Sequence, residues 1–265
     1  MVNISVICPT YNSSKFIKKT IQSIVEQDKL VDEIIFSDDG SDDKTVAIID
    51  SLMSKYKHIN YKLIKNIHKG PGAARNKAIK YAKHEWVAFI DSDDIWKKNK
   101  ISIIKELMKH NKNINFFCHN EILVDTKNNK KPLDYYSKYK QDKLLTNQVY
   151  VSNKFSTSAV VCKKSLFEKY GFFNEDLLSA QDHELWIRLS ENLKVFFINE
   201  YLGYYVQREG NITSGNLWKK FINEIKIAYM HRRLVSFHLF YLRLIRILAM
   251  YIKFVLQRFF FNKVV

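Results

Sequence analysis

The first third of the chain alternates apolar, strand-like runs with helix-like stretches, and this order limits the possible folds more than any other feature. Strands are predicted over 4–8, 33–37, 61–64 and 86–90, and helices over 14–27, 44–56 and 72–82. Consecutive parallel strands joined by helices form a sheet that is covered on both faces. We therefore predict an α/β fold with a mainly parallel, doubly wound sheet.

The second half of the chain has a weaker pattern. Short strands are predicted over 116–118, 158–162, 195–198 and 202–207, a helix over 178–192, and a polar, lysine-rich mobile loop over 125–143. The sequence has no internal repeat and no low-complexity linker, so we expect the two halves to share one continuous sheet.

The composition favours a globular protein, with 46% hydrophobic and 14% aromatic residues. The three cysteines lie in apolar runs and are predicted to be buried, reduced thiols. The chain opens without a charged-then-apolar leader, so the cytoplasm is the expected compartment. Half of the net charge of +16 comes from 225–265, which contains eight basic residues and no Asp or Glu. This asymmetry predicts an anionic partner, either a membrane or a nucleic acid.

Three carboxylates crowd into four positions directly after the predicted strand at 86–90, in Asp91-Ser92-Asp93-Asp94. Ligands of open α/β sheets bind beyond the carboxyl ends of the strands. Carboxylates this close are unfavourable unless a cation or a hydrogen-bonded ligand compensates their charge. The segment is therefore either a cation site or an acidic turn that caps the next helix.

Polar segments follow other predicted strands as well. Pro9-Thr10-Tyr11-Asn12 follows the first strand, Asp38-Asp39-Gly40-Ser41 follows the second, and a glycine-rich segment leads from the third towards Arg75. A nucleotide needs acceptors for its base and cations for its phosphates. Asp38 and Asp39 could supply the first, and Arg75 with a metal held by Asp93 the second. The glycine motifs of dinucleotide sites and P-loops are absent from the sequence.

The ordered set of motifs resembles the GT-A glycosyltransferases of family 2 over roughly residues 3–215. The matching segments are Val6-Ile7-Cys8-Pro9-Thr10-Tyr11-Asn12, Asp38-Asp39-Gly40-Ser41-x-Asp43-x-Thr45, Ala74-Arg75-Asn76 and Asp91-x-Asp93-Asp94. The resemblance implies a Rossmann-like GT-A domain. Its nucleotide-sugar-binding half would span 1–112 and its acceptor-binding, catalytic half 113–215, followed by a helical tail over 216–265.

The resemblance also implies a site for the base of a UDP-sugar. Thr10 and Tyr11 would border the uracil, and Asp39 would hydrogen-bond its imide. Pro9 and Asn12 belong to the same donor-binding segment.

For the rest of the donor, the resemblance places Arg75 at the diphosphate and Asp91 at the ribose, with Ser92 between the two acids. Asp93 would hold the Mn2+ or Mg2+ that bridges the phosphates. The physical logic is independent of the resemblance, because UDP leaves more readily once a metal and an arginine neutralise the charge that develops on it.

Asp182 is the general base that the resemblance implies, with Gln181 in place of the usual glutamate. A base there would deprotonate an acceptor hydroxyl as it attacks the anomeric carbon from the face opposite UDP, which inverts the configuration. The alternative is structural: Ser179-x-x-Asp182 is a capping-box pattern, and such an acid often only stabilises a helix start. The two roles are compatible.

Arg208 lies where many relatives carry a histidine that helps the metal or the phosphate. An arginine cannot ligate a metal, but it can pair with a phosphate. We therefore assign Arg208 to donor binding, and a third protein ligand for the metal is not predicted.

The segment 232–260 is almost entirely apolar or basic. On a helical wheel its cations occupy one arc and large apolar residues the opposite one, which predicts an amphipathic helix on an anionic membrane surface. The cations are too frequent for a transmembrane helix. A helix packed on the catalytic domain is the main alternative; a nucleic-acid patch is not favoured.

The predicted function is an inverting glycosyltransferase that moves a hexose or N-acetylhexosamine from a UDP-sugar to a lipid-linked or cell-surface glycan. It would be attached peripherally to the inner face of the cell membrane through 232–265. Two alternatives are a phosphatase or phosphotransferase of the haloacid-dehalogenase type, whose strand also ends in Asp-x-Asp, and a non-enzymatic basic membrane-binding module.

Overall fold

The computed structural model describes residues 2–208 and 217–261. The first half of the chain forms regular alternating elements, which are β1 (Ile4–Thr10), α1 (Ile17–Val25), β2 (Glu33–Asp38), α2 (Thr45–Met53), β3 (Tyr61–Lys65), α3 (Pro71–Tyr81), β4 (Trp86–Phe89), β5 (Ile95–Trp96) and α4 (Lys100–His110). All four strands and all three helices predicted in this region are present. The helix α4 had not been predicted.

The second half is less regular. Its elements are β6 (Phe116–Val124), β7 (Lys130–Leu133), α5 (Leu145–Val151), β8 (Val160–Lys163), α6 (Ser165–Tyr170), α7 (Gln181–Leu189), β9 (Val195–Val206), α8 (Leu217–Met230) and α9 (Phe237–Phe261). Short 3-10 turns cover Thr157–Ala159, Ser190–Asn192 and Arg232–Leu234. The predicted boundary at 215/216 lies outside the described residues.

One sheet contains strands from both halves, as expected. Within the described chain it has nine strands in the order β3-β2-β1-β4-β8-β6-β9-β5, with β7 paired to β6. The strands β1 to β4 are mutually parallel, and β6 and β9 run in the same direction, whereas β8, β7 and β5 run against them. The mainly parallel α/β architecture is therefore confirmed.

Strict alternation along the buried strands divides the core between the two faces of the sheet. In β1, Ile7 points to one face, and Val6 and Cys8 point to the other. The first face packs against α3, α5 and α7, and the second against α1, α2 and α4. Strands buried on both faces need continuous apolar sequence, which explains why these runs are readable in the sequence.

Two predictions for the second half are wrong in detail. The segment 125–143 is not loop throughout, because Lys130–Leu133 forms β7 and pairs with β6. The strands predicted over 195–198 and 202–207 are one strand, β9, whose register against β6 shifts on either side of Asn120. The three cysteines are free and buried, as predicted.

The tail forms two helices that pack on the α/β domain. α9 contacts both α8 and α5. Arg243, which the helical wheel places in the middle of the cationic arc, is only 1% exposed and lies against the domain. The orientation predicted for this arginine is therefore wrong. Within the described chain, no helix is long and apolar enough to cross a membrane.

Candidate active site

The polar segments that follow β1, β2 and β4 meet at one edge of the sheet, because these strands are parallel neighbours with β1 in the middle. Thr10 at the end of β1 is in register with Asp38 at the end of β2, and its hydroxyl donates to the Asp38 carboxylate over 2.9 Å. Asp38 also accepts from the backbone and side chain of Ser41. Asp38 therefore stabilises the turn that follows β2, whereas the neighbouring Asp39 faces the loop that follows β3.

Asp39 is buried and lies against the loop that follows β3. Its two oxygens accept the backbone N–H groups of Lys69 and Gly70 over 2.9 and 2.8 Å. His68 Nδ1 lies 2.8 Å from Asp39 Oδ2. Gly40 has a φ of +78°, and a Cβ there would lie 3.1 Å from the backbone nitrogen of His68. Glycine is therefore needed where the two loops approach each other.

Tyr11 and His68 form a flat surface beside Asp39. Their rings stack with centroids 4.3 Å apart and an angle of 26° between the planes. Tyr11 is 43% exposed, so the stack presents an aromatic face to solvent. The sequence analysis does not single out His68, since a lone histidine in a loop carries no readable signal.

The remaining residues of the first segment support this surface. Pro9 and Thr10 are buried at the end of β1. Asn12 adopts a left-handed φ of 46°, and its backbone N–H donates to Ser41 Oγ over 2.9 Å. These bonds fix the turn that carries Tyr11.

Arg75 and Asp91 form an ion pair at the floor of the site. Arg75 Nη2 lies 2.5 Å from Asp91 Oδ1, and Arg75 is buried whereas Asp91 is partly exposed. Burial alone would lower the pKa of Arg75, but the charge and hydrogen bond of Asp91, together with the charges of Asp182 and Asp93, raise it. Arg75 Nε is buried with no hydrogen-bond acceptor among the described residues. Buried N–H groups without an acceptor are rare in folded proteins, and a bound anion is one explanation for such a group.

Asp93 pairs with Arg208, which lies beyond the end of β9. Arg208 Nε is 2.5 Å from Asp93 Oδ2. Burial raises the pKa of Asp93 and the charge of Asp91 raises it further, whereas the hydrogen bond from Arg208 lowers it. Arg208 therefore compensates charge in the acidic segment itself, a contact between residues 115 positions apart that no local motif reveals.

Asp94 and Ser92 face away from this pair. Asp94 accepts from Ser158 Oγ over 2.5 Å and from the Val206 backbone N–H over 2.9 Å. Burial raises the pKa of Asp94 well above its ordinary value, and neighbouring carboxylates add to the shift. The buried Ser92 hydroxyl lies 2.6 Å from Ser13 Oγ. Both side chains hold the surrounding loops in place.

Tyr205, near the end of β9, is a site residue that the sequence did not single out. Burial raises the pKa of its hydroxyl, and the charges of Asp94, Asp91, Asp93 and Asp182 raise it further. The hydroxyl therefore stays neutral, under the influence of carboxylates from the segment after β4 and from the first turn of α7. In the sequence, its signal is the tyrosine-rich end of that strand.

Asp182 lies in the first turn of α7. Its Oδ2 accepts from Asn153 Nδ2 over 2.9 Å, and Asn153 Oδ1 in turn accepts the Phe155 backbone N–H over 3.1 Å. The Asp182 charge also contributes to the raised pKa of Arg75, so it acts on the same site. Asn153 was not predicted, because its loop gives no pattern that points to Asp182.

The capping-box geometry predicted for Ser179 and Asp182 is absent, although Asp182 does lie in the first turn of α7, where an acid stabilises the helix start. The N-cap of α7 is Ala180, in a left-handed conformation with φ 55°, and its methyl side chain cannot accept a hydrogen bond. The Ser179 oxygens accept instead from Asn223 of α8 over 3.2 Å. Gln181 packs against α3, where a Cβ added to Gly72 would lie 2.8 Å from Gln181 Oε1.

A divalent metal fits this site as one shared with a diphosphate. Within the described chain, no three His, Cys, Asp or Glu side chains form a group that could hold a metal alone. Mg2+ is commonly held by one or two carboxylates together with substrate phosphates. Asp93, whose Oδ2 faces Arg208, suits that arrangement, and the free Arg75 Nε suits the phosphate side.

The sequence profile of glycosyl transferase family 2 matches residues 5–171. The chain belongs to this family. The family 2 assignment confirms the resemblance and argues against the haloacid-dehalogenase alternative. Among curated relatives, GalNAc(5)-diNAcBac-PP-undecaprenol beta-1,3-glucosyltransferase of Campylobacter jejuni is 28% identical over 232 residues, which make up 86% of this chain and 74% of the relative.

Solved structures share the fold of this family 2 chain. The crystal structure of Staphylococcus aureus TarS 1-349 in complex with UDP-GlcNAc has a TM-score of 0.71 at 23% identity and covers 86% of this chain. This chain spans 66% of the TarS fragment. Mannosyltransferase PcManGT from Pyrobaculum calidifontis, in complex with GDP-Man and Mn2+, has a TM-score of 0.69 at 17% identity, over 94% of this chain and 69% of that one.

Proposed function

We propose that the protein is an inverting glycosyltransferase that transfers a hexose or N-acetylhexosamine from a UDP-sugar to a glycan acceptor carried by a lipid or a cell surface. One observation carries the proposal. Two arginine–carboxylate pairs, Arg75–Asp91 and Arg208–Asp93, lie at the sheet edge that also carries Asp39, and Asp182 acts electrostatically on Arg75. In this proposal the base binds beside Asp39, the diphosphate binds beside the two arginines, and the attacking hydroxyl lies beside Asp182.

In this proposal the uracil stacks on the exposed face of Tyr11 and its imide donates to Asp39. A carboxylate has about four lone-pair positions, so the two backbone N–H groups and the His68 ring that already contact Asp39 leave one position for another donor. The TarS complex with UDP-GlcNAc, which shares the fold, agrees with a uridine donor. Asp91 remains partly exposed for the ribose.

The arginines are proposed to hold the diphosphate. Arg75 can direct its unpaired Nε to a phosphate oxygen while Nη2 keeps its bond to Asp91. Arg208 can turn from Asp93 to the diphosphate, which would leave Asp93 to hold Mn2+ or Mg2+. When bound, the metal would supply positive charge to the departing UDP. Mn2+ in the mannosyltransferase structure is in line with this choice.

Asp182 is proposed to act as the general base. It takes the proton of the acceptor hydroxyl, whose oxygen forms a bond to the anomeric carbon while the bond from that carbon to the UDP oxygen breaks. The bonding electrons leave with UDP, where the arginines stabilise the charge. Attack from the face opposite UDP inverts the configuration. Asn153 orients the carboxylate through the bond that it donates.

The acceptor is proposed to be a glycan on a lipid diphosphate, because the name of the Campylobacter relative includes a PP-undecaprenol acceptor. This acceptor class would place the protein at the inner face of the cell membrane, as a peripheral protein in the cytoplasm attached through 232–265. Nucleic acid is not a proposed partner.

The test compares turnover and donor binding in one variant. Asp182→Asn should lower transfer about 10²–10⁴-fold, the usual contribution of a general base. Thermal shifts with UDP, GDP and CMP, with and without Mn2+ or Mg2+, should still show selective stabilisation by UDP. The matched control is Asp176→Asn, in the exposed loop before α7.

Asp176→Asn should keep both the turnover and the stabilisation by UDP of the wild type. Unchanged turnover in Asp182→Asn would remove Asp182 from the mechanism. A thermal shift that favours GDP or CMP over UDP would overturn the proposed donor.

A further inference from the structure

The middle of the cationic side of the helix α9 faces the α/β domain, although its charges predict that this side is exposed. Arg243 is almost fully buried and donates to the Tyr150 carbonyl over 2.8 Å and to Glu224 of α8 over 3.1 Å. Ile247, one turn later, is also buried. The α/β domain thus covers the middle of the cationic arc, and the opposite, apolar arc faces outward.

In the two-helix hairpin of α8 and α9 (Leu217–Met230 and Phe237–Phe261), the outward face of α9 is apolar over most of the length whose side chains are described. Ile245 is 64% exposed, and the large apolar side chains that follow it on this face are each more than a third exposed as far as Leu256, beyond which side chains are not described. The members on α9 are Leu242, Ile245, Leu248, Ile252, Val255 and Leu256. Continuous exposed apolar surface of this kind marks an interaction site.

The charges beside this face indicate which kind of partner binds it. Arg246 and Lys253 are exposed along one side of it, and no Asp or Glu occurs from 225 to 265. A second copy seated on the face would bring these cations close together without carboxylates to pair them. Anionic head groups would neutralise them, while the apolar side chains enter the boundary between head groups and acyl chains.

We propose that the outward face of the α8–α9 hairpin lies in the surface of an anionic bilayer, with the α/β domain on the opposite side of the hairpin. The domain side is fixed by Arg243, so the membrane side consists of the apolar face, with Arg246 and Lys253 at its edge. This assigns the membrane contact to a defined face rather than to the tail as a whole.

The hairpin is also hydrogen-bonded to the helix that carries Asp182. Asn223 of α8 donates to Ser179 just before α7, and His231 Nε2 lies 2.9 Å from Glu184 within it. Binding of the hairpin therefore fixes the position of α7 relative to the bilayer. If the proposed function holds, Asp182 lies at a fixed distance from the bilayer that contains the lipid of the acceptor.

The experiment is co-sedimentation of the full-length protein with vesicles. Wild type should sediment with phosphatidylglycerol-containing vesicles and much less with pure phosphatidylcholine. Ile245→Asn/Ile252→Asn should weaken this partition about tenfold or more, since two apolar side chains no longer enter the lipid. Its melting temperature should stay that of wild type, because both side chains are exposed.

The matched control is Leu30→Asn/Ile67→Asn, which alters two exposed apolar side chains in the loops that follow α1 and β3 and should sediment like wild type. Asp182→Asn should do the same, so sedimentation tests the surface separately from the proposed reaction. Equal sedimentation of the hairpin variant and wild type would overturn the proposal. So would vesicle-free ultracentrifugation that shows a dimer dissociated by the Ile245/Ile252 changes, because a second copy would then cover the face.

Discussion

Replacing Arg243 tests the packing of the tail helix most directly. Its side chain is 1% exposed and makes two bonds, to the Tyr150 carbonyl and to Glu224, whose side chain is 21% exposed. Removing one member of a fully buried ion pair costs about 3–5 kcal/mol. Water can partly solvate Glu224 once it is alone, so Arg243→Met should lower the free energy of unfolding by about 3 kcal/mol, at the lower end of that range.

Thermal and urea unfolding measure this loss. For a protein of this size, about 3 kcal/mol corresponds to a fall in Tm of about 6–12 °C. Adding Glu224→Gln to Arg243→Met should cost less than the sum of the single changes, because the isolated carboxylate is then gone. Arg246→Met, at an exposed position one turn later, is the control and should stay within about 0.5 kcal/mol. Equal, small effects at 243 and 246 would refute the inward orientation of Arg243.

Two further predictions concern the positioning of Asp182. Gly72→Ala places a methyl group 2.8 Å from the end of the Gln181 side chain, which must then shift and give up its bond to the Leu177 carbonyl. Since Ala favours the helix, we expect little change in stability, within about 1 kcal/mol, but a lower kcat because Gln181 precedes Asp182; unchanged turnover would contradict a positioning role for this contact. Asn153→Ala removes the N–H that stabilises the Asp182 carboxylate. The kcat should then fall while stabilisation by UDP stays that of wild type, because the carboxylate loses the donor that orients it; unchanged kcat with a lowered Tm would indicate a purely structural role for Asn153.

The sequence predicts the nucleotide half of the fold well, for a physical reason. The strands β1, β2 and β4 are buried on both faces, so their apolar runs stand out, and the polar residues directly after them must lie at one sheet edge. The second half is harder to predict. The strand β7 consists largely of exposed lysines and is held by backbone pairing to β6, which leaves no apolar pattern.

Contacts between distant segments are the part of the site that the sequence does not reveal. The pairing of Asp93 with Arg208 and of Asp182 with Asn153 depends on how loops return to the sheet edge. The helical wheel of α9 separates a cationic from an apolar arc correctly. It cannot tell which arc the domain covers, since that depends on Glu224 of the preceding helix.

The neighbouring acids Asp93 and Asp94 make different contacts, although they belong to one sequence motif. Asp93 faces Arg208 in the cleft, whereas Asp94 accepts from Ser158 in the 3-10 turn before β8 and from the Val206 backbone at the end of β9. An inactive Asp94 variant would therefore report a disturbed junction between β4, β8 and β9 rather than a lost metal ligand. Mutational scans that treat the acidic run as a unit would count such a structural failure as a chemical one.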